Sequence, residues 1–152
     1  YTIAGDGPQR KQLEAQITEL GAGDQAELLG WQTQKGVAQL MADAHVFVLP
    51  SVTDANGDKE GTPTVLLEAQ SAGLPIISTT HAGIPEIVSD GNTGYVVPER
   101  NVPALIDSLE QMLSQPDLWS EMGQAGREYV ETRHSVEVVT EKLSSVYERA
   151  LR

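Results

Sequence analysis

His45-Val46-Phe47-Val48-Leu49-Pro50, then the run Ser51-Val52-Thr53-Asp54-Ala55-Asn56-Gly57-Asp58-Lys59, then Glu60-Gly61-Thr62-Pro63-Thr64-Val65-Leu66-Leu67-Glu68, is the stretch that decides the fold. The first part is apolar throughout after its histidine, as expected of a strand covered on both faces. Pro50 stops it. The middle is a polar, glycine-containing loop. The last part opens a helix over about residues 62–72, with Pro63 in the first turn, where its missing N–H costs nothing. Leu66, Leu67 and Ala69 give that helix a packing face. Strand, loop and helix in this order form the unit of a parallel α/β sheet.

Outward from this unit the same alternation continues. Residues 1–4 read as a strand closed by Gly5-Asp6-Gly7-Pro8. Leu13, Ile17 and Leu20 mark a helix that Gly21 ends. Residues 26–29 read as a second strand, and Val37, Leu40 and Met41 as a second helix. After Gly73-Leu74-Pro75 comes a strand over residues 76–78, then a helical turn over residues 83–88. Asp90-Gly91-Asn92-Thr93-Gly94 is a strong turn signal before a last short strand, Tyr95-Val96-Val97. Beyond Pro98 the pattern is helical, with breaks near Gln115-Pro116 and His134-Ser135. The expected fold is a Rossmann-like, doubly wound parallel α/β sheet with C-terminal helices. Residues 1–98 form βα units and 99–152 a helical segment of one domain. Ligands in such sheets bind at the carboxyl ends of strands.

Composition narrows the function. The 152 residues include no cysteine, which excludes disulfides, thiolate zinc sites and thiol nucleophiles and fits a cytoplasmic setting. Ten Lys and Arg stand against 22 Asp and Glu, a net charge of −12. That field makes nucleic acid a poor partner. No apolar run reaches the roughly 18 residues that span a bilayer. Because the chain opens on a strand at Tyr1, it is expected to be a piece of a longer protein.

Three constellations read as ordinary structure. Gly5-Asp6-Gly7 lacks the third glycine of a dinucleotide fingerprint, where Arg10 stands, so it is a tight turn. Residues 54–60 imitate the start of a calcium loop, but Lys59 occupies the place of the required glycine and Val65 that of the twelfth-position glutamate. His45 is expected to begin a buried strand in a structural role. His81, in a loop after the strand at 76–78, is a modest site candidate, and His134 stands apart; the three have no metal-like spacing.

Glu60 and Glu68 bracket the start of the helix. At ~1.5 Å of rise per residue their carboxylates stand on the order of 10 Å apart. A retaining hydrolase needs about 5 Å between its two carboxylates. The larger separation suits the two ends of a long polyhydroxylated ligand. Between them a helix N-terminus offers N–H groups and the positive end of a dipole, a place for a diphosphate. Gly61 permits close backbone approach.

Glu60-x7-Glu68 after Leu49-Pro50-Ser51, together with Ala4-Gly5-Asp6-Gly7-Pro8, Leu29-Gly30-Trp31, the run from Glu68 through Ala72-Gly73-Leu74-Pro75 to Ile77, and Gly83-Ile84-Pro85-Glu86-Ile87-Val88 leading to Asp90-Gly91-Asn92-Thr93-Gly94, resembles retaining glycosyltransferase family 4, the glycosyl transferases group 1. The resemblance covers residues 1 to about 98. It implies the C-terminal, donor-binding domain of the two-domain GT-B fold. By it, catalytic Glu60 contacts the donor sugar and Glu68 the ribose. Gly61, Thr62, Pro63 and Thr64 supply backbone contacts to sugar and phosphate, Val65 lies near the nucleoside, and Trp31 to Gln34 border the base. Trp31 is equally open to a plain packing role.

The resemblance implies a nucleotide-sugar donor (a UDP- or GDP-sugar), no metal or other cofactor, and transfer of a hexose-type sugar with retention. The acceptor, a glycan or lipid-linked species, would be held by an N-terminal domain absent here, with peripheral membrane association through the full-length protein. Exopolysaccharide biosynthesis is the nearest flavour. The family pattern starts one strand earlier, with a Gly-Arg strand end and a helix Lys that clamp the diphosphate, and this chain has no Lys or Arg between Lys59 and Arg100. The lost strand would leave a gap in the sheet, be replaced by new pairing, or expose an edge for dimerisation. Two other readings stay open: a non-catalytic nucleotide-binding or interaction module, and a UDP-sugar epimerase of related architecture, against which the Glu-x7-Glu pattern speaks.

Overall fold

The computed structural model describes residues 1–57 and 61–151. It divides into two compact units, Tyr1–Asp43 and Ala44–Arg152. Among the described residues the five strands pair in parallel, in two sheets of order β1-β2 and β3-β4-β5.

The first unit runs β1 (Thr2–Ala4), α1 (Arg10–Glu19), β2 (Glu27–Gly30), α2 (Gln34–Asp43). β1 pairs with β2 from Thr2↔Glu27, and the Gly5 N–H extends the contact by donating to the Gly30 carbonyl at 2.8 Å. Arg10 opens α1 and donates to the Leu28 carbonyl at 3.1 Å and to Glu14 at 2.9 Å. An arginine thus crosses the end of β2 where a dinucleotide site needs glycine.

Leu20, expected on the packing face, is 81% exposed. It is the C-cap rather than a helical position. Gly21 follows at φ +62°, its N–H donating to Thr18, while the Ala22 N–H reaches the Ile17 carbonyl. These two bonds close a Schellman motif, which takes the chain off the helix before Leu20 can pack.

The second unit runs β3 (Phe47–Leu49), α3 (Thr64–Ser71), β4 (Ile76–Thr79), α4 (Ile84–Ile87), β5 (Gly94–Val97), α5 (Val102–Ser114), α6 (Asp117–Arg133), α7 (Val136–Ala150). β4 is its buried centre, with all four residues inside. β3, read from its apolar run as covered on both faces, is a half-buried edge strand shorter than the run itself. His45 precedes it and is exposed, its ring 5.5 Å from that of Trp119, so the expected burial does not occur.

Alternation along β4 sends Ile76 and Ile77 to opposite faces. Ile77 packs with Met112 of α5 and Met122 of α6, flanked by Val48, Tyr95, Leu109 and Trp119. β4 also contacts α3 and α4. Burying side chains of this size stabilises the fold by roughly 1.5–3 kcal/mol each. Two glycines allow the layers to close. A Cβ on Gly94 would lie 1.9 Å from the Ile76 carbonyl oxygen, and one on Gly123 would lie 2.0 Å from that of Gly73.

The helical breaks fall where the sequence places them. Asn101 caps α5 by accepting from the Ala104 N–H at 3.2 Å, and Ser135 caps α7 by accepting from Val138 at 3.3 Å.

Candidate functional site

Because β3, β4 and β5 are parallel and in register, with Leu49↔Ser78 and Thr79↔Val97, their carboxyl ends share one edge of the sheet. Three connections emerge there: the loop after β3, residues 80–83 after β4, and residues 98–101 after β5. Two side chains of the neighbouring strand β4 hold the end of β3 and the start of its loop. Ser78 Oγ donates to the Leu49 carbonyl at 2.6 Å, and Thr79 Oγ1 donates to that of Ser51. Both hydroxyls sit in the fully buried strand, and these bonds satisfy them.

Farther along, Glu99 takes up Thr53. One carboxylate oxygen accepts the Thr53 N–H at 2.8 Å; the other accepts Thr53 Oγ1 at 3.2 Å and lies 2.8 Å from His81 Nδ1. The Arg100 guanidinium donates to the Thr53 carbonyl. Bonds from the Thr53 amide first, and then from His81, hold the Glu99 carboxyl below its ordinary pKa. His81, the modest site candidate in the loop after β4, is completely buried. Asp54 continues the loop as an Asx turn, accepting from the Asn56 N–H at 2.7 Å.

The positive-φ non-glycine residues among those described are Ala82 at +44° and Arg100 at +59°, and both lie in these connections. Such strain persists only where surrounding contacts over-determine the backbone, and it gathers at functional sites.

Glu60, the residue expected to act on the sugar, lies outside the described residues, as do Asp58 and Lys59. Gly61 and Thr62 are exposed, and Thr62 abuts the β4–α4 connection: a Cβ on Gly83 would stand 2.7 Å from its Oγ1. α3 starts at Thr64, two residues later than its pattern suggests, because Pro63 is the N-cap, with ψ 110°. No side chain caps this end among the described residues.

α3 buries Leu66, Ala69 and Gln70. At 100° per residue Thr64 and Glu68 fall on the opposite face, one above the other, and both are exposed. Val65 is half-buried beside them. Trp31 and Gln34 belong to the first unit, at the carboxyl end of β2; Trp31 is 76% exposed, so it is not a core aromatic of that unit.

Thr53, Glu99 and Arg100 are absent from the sequence-based set. The signal near them is the Pro98-to-Asn101 turn before a capped helix, which says nothing of a partner 46 residues upstream.

In the second unit a parallel sheet with polar loops and a helix start gathered at its carboxyl edge has the build of a Rossmann-like α/β module. The family model for glycosyl transferases group 1 matches residues 1–129, and the chain belongs to that family. It is 37% identical over 147 residues to a colanic acid biosynthesis glycosyltransferase, WcaL, of Escherichia coli, covering 96% of this chain and 36% of that protein. The chain therefore spans about a third of the length of such a relative. Among solved structures it resembles sucrose-phosphate synthase from Thermosynechococcus elongatus, with TM-score 0.84, 25% identity, and coverage of 99% of this chain and 38% of that one. It also shares its fold with Anabaena HepE in complex with UDP-glucose, with TM-score 0.83, 22% identity, and coverage of 97% and 40%. Among the described residues no helix is long and apolar enough to cross a membrane.

Proposed function

We propose that this chain is the donor-binding domain of a cytoplasmic, retaining glycosyltransferase of exopolysaccharide type, which moves a hexose-type sugar from a UDP- or GDP-sugar to a glycan or lipid-linked acceptor. What supports this reading is that α3, inside the stretch that the family model matches, follows the loop after β3 and turns Thr64 and Glu68 away from the core. The naming of WcaL supports the exopolysaccharide assignment. Family membership favours a transferase over an interaction module or an epimerase.

In this reading Glu68 binds the ribose, Val65 lies near the nucleoside, and Trp31 and Gln34 border the base. Gly61, Thr62, Pro63 and Thr64 hold sugar and phosphate through the backbone, and Glu60 is the catalytic contact to the sugar hydroxyls. The transition state is oxocarbenium-like, so the electrostatic task is to stabilise the departing diphosphate. The α3 N-terminus supplies the equivalent of roughly half a positive charge against a diphosphate of about two. By the family resemblance the remainder comes from cationic side chains on a strand and helix preceding this segment, while Arg100 donates to the Thr53 carbonyl. Those cations, the acceptor site and any peripheral membrane contact belong to the full-length protein.

The test is a screen of nucleotide sugars by thermal shift on the full-length protein, followed by NMR of the product. An α-configured product from an α-linked donor, lost on Glu60→Ala, supports the proposal. An inverted product, or full turnover by Glu60→Ala, refutes it. Residues 1–152 alone should give no transfer.

A further inference from the structure

Thr53 lies in the loop after β3, and the two peptide groups that flank it are held by one turn, that between β5 and α5. Glu99 accepts its N–H at 2.8 Å and its hydroxyl at 3.2 Å, while Arg100 donates to its carbonyl. The grip is braced from behind. His81, fully buried after β4, sits 2.8 Å from the Glu99 carboxylate, and Arg100 is kept in the left-handed region at φ +59°. A carboxylate and a guanidinium on adjacent residues, facing the N–H and the C=O of one residue 46 and 47 positions upstream, fix both position and orientation of that segment.

We propose that Glu99 and Arg100 are positioning residues that clamp the loop at Thr53 and so place the sugar-contacting end of the donor site. This rests on the donor-site reading above. The clamp acts on the segment before Glu60 and not on α3, so its loss must weaken recognition of the sugar while sparing that of the nucleotide. A contact to the sugar is a hydrogen bond, and loosening one costs up to about tenfold in sugar-dependent affinity.

Arg100→Gly is the cleanest variant, because glycine accepts the left-handed turn, so the side chain with its guanidinium is removed while the backbone conformation is kept. Glu99→Ala removes the carboxylate, whereas Glu99→Gln keeps an oxygen that can accept the Thr53 N–H. Calorimetry on the full-length protein with UDP-glucose, GDP-mannose, UDP and GDP would compare these with Glu68→Ala, alongside hydrogen exchange over residues 51–57.

Arg100→Gly and Glu99→Ala are expected to speed exchange in that loop and to weaken the better-bound nucleotide sugar by up to about tenfold, with the matching nucleotide unchanged. Glu99→Gln should recover part of the loss. Unchanged exchange, or faster exchange with unchanged nucleotide-sugar affinity, overturns the clamp. Glu68→Ala separates the two claims: it should weaken nucleotide and nucleotide sugar alike. If it weakens neither, the donor-site reading fails, and the clamp's role in sugar placement falls with it.

Discussion

Gly123→Ala tests the packing that holds the candidate donor helix. Gly123 lies in α6 and faces the α3–β4 turn, where an added Cβ would meet the Gly73 carbonyl oxygen at 2.0 Å. A carbon and a carbonyl oxygen rest at about 3.3 Å or more. The methyl therefore requires about 1.3 Å of separation between backbones, with no flexible side chain to absorb it. Overpacking of this kind costs about 1–3 kcal/mol. Exchanging glycine for alanine inside a helix returns up to about 1 kcal/mol. Because backbone meets backbone, the upper part of that range applies, about 2–3 kcal/mol, so the net loss is about 1–2 kcal/mol, or roughly 2–8 °C in Tm for a domain of this size. Arg127, which donates to the Ser71 carbonyl at 3.0 Å from the next turn of α6, is pulled away in the same movement. Thermal unfolding of the full-length protein followed by circular dichroism gives the number. A Tm equal to or above that of the parent would show that α6 and the end of α3 are not in the close contact described.

Three further outcomes follow from single residues. Glu99 has a lowered pKa in the folded chain, so the stability it contributes is complete above the ordinary glutamate value and is lost as pH falls through its lower folded value; the Tm difference between parent and Glu99→Gln should be present at pH 7 and shrink below about pH 4. Gln70 is fully buried; its Nε2 donates to the Ile87 carbonyl at 3.0 Å, while its Oε1 has no partner among the described residues. Gln70→Glu buries a carboxyl against that carbonyl, which should cost at least about 2 kcal/mol at pH 7 by denaturant titration and be partly recovered in acid, where the raised folded pKa leaves the group neutral. Gly94→Ala drives a Cβ to 1.9 Å from the Ile76 oxygen at φ +158° and should break the β4–β5 register, read as loss of soluble folded protein on expression.

The architecture was legible where local chemistry decides it. Pro50, Gly73-Leu74-Pro75 and Asp90-Gly91-Asn92-Thr93-Gly94 end elements in the structure as in the pattern, and Asn101 and Ser135 cap the helices that the breaks announce. Burial was less legible. The most apolar run, at β3, is an edge strand of its sheet, whereas the buried centre, β4, carries Ser78 and Thr79, whose hydroxyls are satisfied by backbone carbonyls of the neighbouring connection. Hydropathy counts those hydroxyls as polar and cannot see the acceptors. His45 was expected in a buried strand and is exposed, and the burial of His81 could not be read locally, since Glu99, one partner of its ring, lies 18 residues away. Gly123 reads in sequence as a mild cost within a helix, and only the approach of the Gly73 carbonyl explains it. At the site, the exposed face carrying Thr64 and Glu68 follows from helical spacing, but the hold on Thr53 depends on two segments brought together by β4 and β5, which no local pattern encodes.

The most direct test of the account is the donor dependence of the full-length enzyme carrying Glu68→Ala. If Glu68 grips the nucleotide from the exposed face of α3, the donor KM should rise by about tenfold or more while kcat changes much less, because binding to the part of the donor that does not react is lost equally in ground and transition states. An unchanged donor KM would contradict the assignment of this helix as the donor site.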